Sequence, residues 1–322
     1  MIRKQTTIIT GAGASVPYGY PTSEKLRDWI CQDFVGIYKT LYNSSAGTEA
    51  LETKIMPLIN RYKKCDELYF DMFITRLENE EDRNICYGIL KMAIWFYEIF
   101  KTNLTPINEN WIAYLFNNFI TYKVVERIMC EHTNLFEKIR FITFNYDRFL
   151  KYKLHSLLLN NFDDRLALIQ SINIRLDHVY GRISDLEWED SGKKIPYQYN
   201  GEKHINGKRL SIITSLLEQF TNPISIMHTE RGFINRGTKM KIEIAENIYF
   251  LGFGFDEENL MALDYLKDFS GKKIYGTALG KSDREIIIIK SRMIELNDQI
   301  SPDDIILENC NCIELLKKYP LV

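Results

Sequence analysis

The sequence predicts an α/β fold in which helices cover both faces of a mostly parallel sheet. Three observations predict it: short apolar segments recur along the chain, each ends in glycines or polar residues, and a helical pattern follows each one. Strands that alternate with helices are typical of parallel sheets, because the chain must cross back over the sheet between neighbouring strands. The predicted strands are 6–10, 141–144, 247–251, 273–279 and 304–307, and the last two predicted helices are 284–296 and 313–319.

The first two strands are separated by a long stretch with helical spacing of its apolar residues. One segment in it, 84–101, is apolar around much of its circumference, as expected for a central helix or for one covered by another subunit. Its Trp95 is interpreted as a packing residue. We interpret residues 36–136 as a helical insertion within one domain that spans residues 1–322. The predicted helices between the first two strands are 24–35, 49–62, 68–77, 84–101 and 109–130.

Composition and charge narrow the class of protein. The chain has 322 residues, 45% of them hydrophobic, which is enough for a full core. Its 41 basic and 43 acidic residues give a formal net charge of −2, so the chain by itself is not expected to bind nucleic acid. No apolar run approaches the ~20 residues that span a bilayer, so no membrane partner is expected. Six scattered cysteines and no signal peptide ahead of the first strand predict reduced thiols and a cytoplasmic location.

The first strand runs directly into the glycine-rich turn Gly11-Ala12-Gly13-Ala14-Ser15. Glycines at 11 and 13 would let the turn adopt φ > 0 and bring backbone N–H groups, with the positive end of the following helix, against a diphosphate. A turn that needs glycine only for steric reasons is the alternative. A dehydrogenase fits poorly, because Val16 stands where the third glycine of the dinucleotide fingerprint belongs.

Polar residues follow the second strand, in Thr143-Phe144-Asn145-Tyr146-Asp147. Ligands bind at the carboxyl ends of strands in such folds, so these side chains are candidates for a binding site. The alternative is that Asp147 only caps the following helix by accepting hydrogen bonds from backbone N–H groups.

Two further motifs lie downstream. His178-Val179-Tyr180-Gly181 offers one imidazole, and if 176–183 is a strand, positions 178 and 180 lie on the same face. His228, which ends another predicted strand, is the reserve histidine. The stretch 247–260 again leads from an apolar strand to glycines and a helix start, where Asp256 could act as a helix N-cap or a ribose ligand.

In their order and spacing, these four motifs resemble those of the sirtuin-like family, particularly its bacterial branch that hydrolyses NAD. The resemblance implies a Rossmann-like fold, a catalytic Asn145 that orients ribose and water, and an Asp147 beside the carboxamide. The family places its catalytic histidine immediately before the glycine, where this chain has Tyr180, so His178 is expected to supply the imidazole from two positions earlier. The nucleotide-binding residues implied by the resemblance are Gly11, Ala12, Gly13, Ser15, Pro21, Thr22, Thr143, Asp147, Gly252, Gly254 and Asp256.

The resemblance also implies a function. NAD+ would be the substrate, with nicotinamide and ADP-ribose as products, in a bacterial anti-phage defence system that depletes NAD. A homo-oligomer is expected, controlled in trans by a HerA-type ATPase or another sensor protein. The chain lacks the Cys-x-x-Cys steps of the zinc site in deacylating sirtuins, so no zinc is expected. The alternative is a non-catalytic subunit that binds NAD or ADP-ribose and regulates or scaffolds a defence complex.

Overall fold

A computed structural model describes residues 4–41, 45–119, 134–189, 197, 242–264, 269–296 and 300–321. Its centre is a six-stranded, all-parallel sheet with the order β3-β2-β1-β4-β5-β6. This confirms the predicted α/β, Rossmann-like fold, since the order is that of the doubly wound dinucleotide-binding sheet. The strands are β1 (Thr6–Thr10), β2 (Ile139–Thr143), β3 (Leu176–His178), β4 (Asn247–Leu251), β5 (Lys273–Thr277) and β6 (Ile305–Glu308).

Helices connect the strands and surround the sheet. Ahead of β2 the described helices are α1 (Ala12–Ser15), α2 (Ser23–Gln32), α3 (Phe34–Leu41), α4 (Ser45–Ala50), α5 (Met56–Lys64), α6 (Phe70–Thr75), α7 (Glu80–Phe96) and α8 (Trp111–Phe119). After β2 they are α9 (Phe149–Leu159), α10 (Asp164–Ile172), α11 (Glu257–Asp264), α12 (Asp283–Leu296) and α13 (Cys312–Lys318). None of these described helices is both long enough and apolar enough to cross a bilayer.

The central strands are buried on both faces. Ile8 of β1 is opposite Phe141 of β2 and Tyr249 of β4, and these three side chains belong to one core cluster with residues of α8, α9 and α13. The neighbouring Ile9 points to the opposite face, where its cluster includes residues of α11 and α12 such as Ile289. Successive β1 residues therefore contact helices on opposite sides of the sheet.

The segment between β1 and β2 is helical in its described part and has a core of its own. Trp29 of α2, Tyr62 of α5, and Trp95 of α7 are fully or almost fully buried in this core. The predicted helix 84–101 is observed as α7, extended by one π-helical turn, Tyr97–Lys101. The predicted helix 109–130 begins at Trp111, and its part beyond Phe119 lies outside the described residues.

Candidate functional site

A large cavity lined by described residues opens at the carboxyl ends of the strands. Its volume is about 810 Å³. Residues that immediately or closely follow five strands contribute to its wall: Gly11 after β1, Asn145 after β2, Gly252 after β4, Ala278 after β5 and Asn311 after β6. β1 and β4 are neighbours at the point where the strand order reverses, which is where doubly wound sheets bind ligands.

The glycines of the first turn pack against the turn after β4. The N–H of Gly11 donates to the carbonyl of Leu251 at 3.1 Å, and the N–H of Gly13 donates to the carbonyl of Gly252 at 2.9 Å. A Cβ at position 11 or 13 would lie 2.7 or 2.9 Å from that Gly252 oxygen. Glycine is therefore required by backbone packing.

The expectation that Gly11 and Gly13 adopt φ > 0 is wrong. Gly11 has φ of −118°, and Gly13 is not among the left-handed glycines. Their N–H groups bind neighbouring carbonyls, and the helix that follows, α1, has only four residues before a 3₁₀ turn. The steric interpretation of the turn explains both glycines.

Gly252 is the residue of this contact that does require a left-handed backbone. Its φ is +55°, and a Cβ there would lie 1.9 Å from the backbone nitrogen of Ala14. Its N–H donates to Thr277 Oγ1 at 2.7 Å. Gly252 therefore connects the turns after β1, β4 and β5, which together line the cavity.

Asn145 lies in the wall of the cavity and is fixed by the first turn. Its Nδ2 donates to the carbonyl of Gly11 at 3.1 Å and to Ser15 Oγ at 3.0 Å, and no described residue donates to its Oδ1. Its backbone N–H donates to Thr143 Oγ1 at 3.1 Å. Thr143 is buried beneath Asn145 and does not line the cavity, so it positions the candidate residue and does not itself reach a ligand.

Asp147 lines the same wall and also accepts a hydrogen bond from the first residue of α9, one position ahead of the N-cap Arg148. Its Oδ1 accepts a hydrogen bond from the backbone N–H of Phe149 at 3.0 Å, and its Oδ2 accepts one from Ser15 Oγ at 3.3 Å. Burial and the nearby negative charge of Glu98 raise the pKa of Asp147 to about 7. The carboxyl group thus accepts a backbone N–H of the following helix, as the alternative interpretation expected, and it also faces the cavity.

A buried ion pair behind Asp147 was not predicted from the sequence. The Glu98 and Arg148 side chains are fully buried, with Arg148 Nη2 2.5 Å from Glu98 Oε2. The backbone N–H of Arg148 also donates to Glu98 Oε1 at 2.9 Å, and its Nη1 donates to Ser184 Oγ at 2.8 Å. The available signal was a lone glutamate within the apolar segment 84–101.

His178 lies outside the cavity, behind Asn145. Its Nδ1 is 3.0 Å from the backbone carbonyl oxygen of Asn145, and its Nε2 is out of contact with solvent and has no partner among the described residues. Burial and the positive charge of Arg182 lower the pKa of His178 to about 3. The imidazole therefore stays neutral, and its Nδ1–H donates to the Asn145 carbonyl.

The strand expected at 176–183 ends at His178, and the chain turns there. Because of this turn, Tyr180 is carried into the cavity wall and packs edge-on against Phe144 at 5.4 Å between ring centroids. The reserve candidate His228 lies outside the described residues.

The remaining predicted nucleotide ligands line other parts of the cavity. Asp256 caps α11, with its Oδ1 accepting from the backbone N–H of Asn259 at 2.8 Å, and Thr22 caps α2, with its Oγ1 accepting from the backbone N–H of Lys25 at 3.3 Å. All the predicted site residues except Thr143 and His178 line this one cavity. Those that do are Gly11, Ala12, Gly13, Ser15, Pro21, Thr22, Asn145, Asp147, Gly252, Gly254 and Asp256.

Charges of both signs lie at the rim. Lys281 and Arg292 line the side of the cavity formed by α12 and the turn before it, and both are exposed. Glu285 Oε1 is 3.7 Å from Lys281 Nζ. Within the described ranges, no group of three or more His, Cys, Asp and Glu residues is arranged to hold a metal ion.

The fold and this cavity define a Rossmann-like α/β protein with a candidate site at the point where the strand order reverses. No protein-family model matches the chain, and no curated protein matches it in sequence.

Proposed function

We propose that the protein binds NAD+ in this cavity and hydrolyses the bond between nicotinamide and ribose, giving nicotinamide and ADP-ribose. One observation carries the proposal: Asn145, Ser15 and Asp147 form a single hydrogen-bonded cluster in the wall of the large cavity. The resemblance to NAD-hydrolysing sirtuin-like proteins assigns Asn145 and Asp147 to the reacting end of the dinucleotide, and Ser15 belongs to the turn that it assigns to the diphosphate. A cavity of about 810 Å³ is within the usual size range of small-molecule and cofactor sites.

The diphosphate needs groups other than the first two glycine N–H groups. Gly11 and Gly13 donate to carbonyls of the chain itself, so they are not available as donors. Thr22 and Ser23 lie in the cavity wall where α2 begins, and the unpaired N–H groups of a helix start favour anions. The exposed cation Arg292 adds positive charge at the rim.

The cleavage of this bond needs few catalytic groups. Nicotinamide leaves the cationic dinucleotide as a neutral molecule, so no general acid is required, and the task is to stabilise an oxocarbenium-like ribose and to direct water at its C1′. The Nδ2 of Asn145 is held by the first turn, which leaves its Oδ1 for a water or a ribose hydroxyl. A side chain fixed in this way is pre-organised for that role.

The second candidate is a non-catalytic subunit that binds NAD or ADP-ribose. The observation that favours it is the absence of an imidazole among the described residues of the cavity wall. Tyr180 lines the wall at the sequence position where the sirtuin-like family has its catalytic histidine. Under either function, the resemblance leads us to propose a cytoplasmic homo-oligomer of an anti-phage system, controlled by a HerA-type ATPase or another sensor protein.

Asn145→Ala tests the catalytic proposal. We expect nicotinamide release to fall by about 10²-fold or more, since a pre-organised polar group at the reacting centre is lost, while calorimetry shows little change in NAD+ affinity. Asn161→Ala, at an exposed position after α9, is the matched control and should behave as the parent. An Asn145→Ala protein that hydrolyses NAD+ at the parent rate would remove the assignment.

A further inference from the structure

We propose that Asp147, and not His178, accepts the proton of the attacking water. The inference rests on the proposed NAD+ hydrolysis and names the residue that acts as its base. The geometric reason is that Asp147 lines the cavity beside Asn145, whereas His178 lies behind the Asn145 backbone.

Asp147 is linked to the water-directing residue through one hydroxyl. Ser15 Oγ accepts a hydrogen bond from Asn145 Nδ2 at 3.0 Å and donates one to Asp147 Oδ2 at 3.3 Å. The Phe149 N–H takes one acceptor position on Asp147 Oδ1, and the Ser15 hydroxyl takes one on Oδ2. Each carboxylate oxygen offers two such positions. Each Asp147 oxygen therefore keeps an acceptor position for a water in the cavity.

Four other ionisable side chains of the cavity wall are already engaged with neighbouring groups. The Tyr180 hydroxyl donates to Asn259 Oδ1 at 3.5 Å. Asp256 caps α11 on the β4 side of the cavity. Asp71 accepts a hydrogen bond from the hydroxyl of Tyr146 at 3.4 Å, and Glu285 is exposed at the rim beside Lys281.

The groups that face Asp147 from the elements around it favour a basic carboxylate. Glu98, on the π-helical turn after α7, is the nearby negative charge, and Arg148 of the Glu98 pair neutralises part of it. The phenols of Tyr20 and Tyr197, which hydrogen bond to each other, also lie within electrostatic reach of Asp147 and stay neutral, since burial raises their pKa values well above 10.

The step balances without a further reactant. The bond between ribose C1′ and the nicotinamide nitrogen breaks, and its electron pair leaves on neutral nicotinamide. The water oxygen forms the new bond to C1′, and its proton passes to the Asp147 carboxylate, which later releases it to solvent. Because burial and Glu98 raise the pKa of Asp147, its ionised form becomes available as the pH rises through about 7.

Asp147→Asn is the test, since the amide keeps the size of the side chain and an oxygen for the Phe149 N–H. We expect single-turnover nicotinamide release to fall by about 10²-fold or more, with unchanged circular dichroism and little change in NAD+ affinity by calorimetry. The parent rate should rise between pH 5.5 and 8.5, and the residual rate of the variant should be flat. Asp147→Glu should restore part of the rate, and Asp164→Asn, at an exposed position of α10, is the control.

Three results would overturn the assignment: parent-like release by Asp147→Asn, a residual rate that keeps the rise with pH, or a loss explained entirely by weaker NAD+ binding. If Asp147→Asn does not fold, a parent rate that does not rise between pH 5.5 and 8.5 overturns it. Parent protein that binds NAD+ and releases no nicotinamide would instead refute the proposed function itself, and the base with it.

Discussion

Gly252→Ala tests the contact between the glycine turns on which the cavity is built. The substitution places a Cβ 1.9 Å from the Ala14 nitrogen, in a backbone with φ of +55°. A left-handed alanine costs about 1–2 kcal/mol. The overlap is more than 1 Å closer than real Cβ atoms approach and falls on backbone, so at least one turn must shift, for about 1–3 kcal/mol more. We expect a loss of about 2–5 kcal/mol in the free energy of unfolding.

Gly280→Ala is the matched control. Gly280 has φ of +79°, and a Cβ there meets nothing within 4 Å, so only the backbone strain of about 1–2 kcal/mol remains. Urea unfolding followed by circular dichroism compares the two variants with the parent protein. Equal destabilisation by both substitutions would refute the packing account of the turns after β1 and β4.

Three more predictions concern the cavity wall and the groups behind it. Glu98→Gln leaves the buried guanidinium of Arg148 without its counter-charge, so we expect the free energy of unfolding in urea to fall by about 3–5 kcal/mol. Glu81→Gln, at an exposed ion pair, should lower it much less. Equal losses in the two variants would contradict this. His178→Asn keeps an N–H donor for the Asn145 carbonyl, so it should retain more nicotinamide release than His178→Ala. Because the imidazole is neutral above pH 5, the pH profile should not change. Equal, near-complete loss of release in both variants would restore His178 as the base. Tyr180→Phe should stay within about threefold of the parent rate, since the proposed step transfers the proton of the water to Asp147 and none to the phenol. A hundredfold loss would assign proton transfer to the phenol.

The sequence predicted the strands and the side chains at their ends well, because both are local patterns. An apolar segment followed by glycines or polar residues marks a buried strand and its carboxyl end, and parallel strands bring those ends together. Asn145 and Asp147 were expected in the cavity wall for this reason, and the structure places both there. Gly11 and Gly13 were also predicted to lie in this wall. The predicted reason was a backbone with φ > 0, whereas the observed reason is their packing against Gly252.

The contacts between distant segments were beyond the reach of local patterns. That Gly11 and Gly13 are required by Gly252 follows only from the pairing of β1 with β4, which are 241 residues apart at the register Thr6 to Asn247. The Glu98 and Arg148 pair likewise joins segments with no shared signal. The position of His178 depends on the length of β3, and apolar periodicity predicts strand ends poorly. The strand has three residues and the chain turns after it, so His178 lies outside the cavity.

The most direct measurement of the central claim is the fate of NAD+ incubated with the purified protein, alone and together with the protein encoded beside its gene. Chromatography of the mixture, with calorimetry for binding, distinguishes cleavage from binding alone. The account predicts nicotinamide and ADP-ribose in equal amounts, with no reduced nicotinamide. Binding of NAD+ without release of nicotinamide under both conditions would contradict it and favour the regulatory subunit.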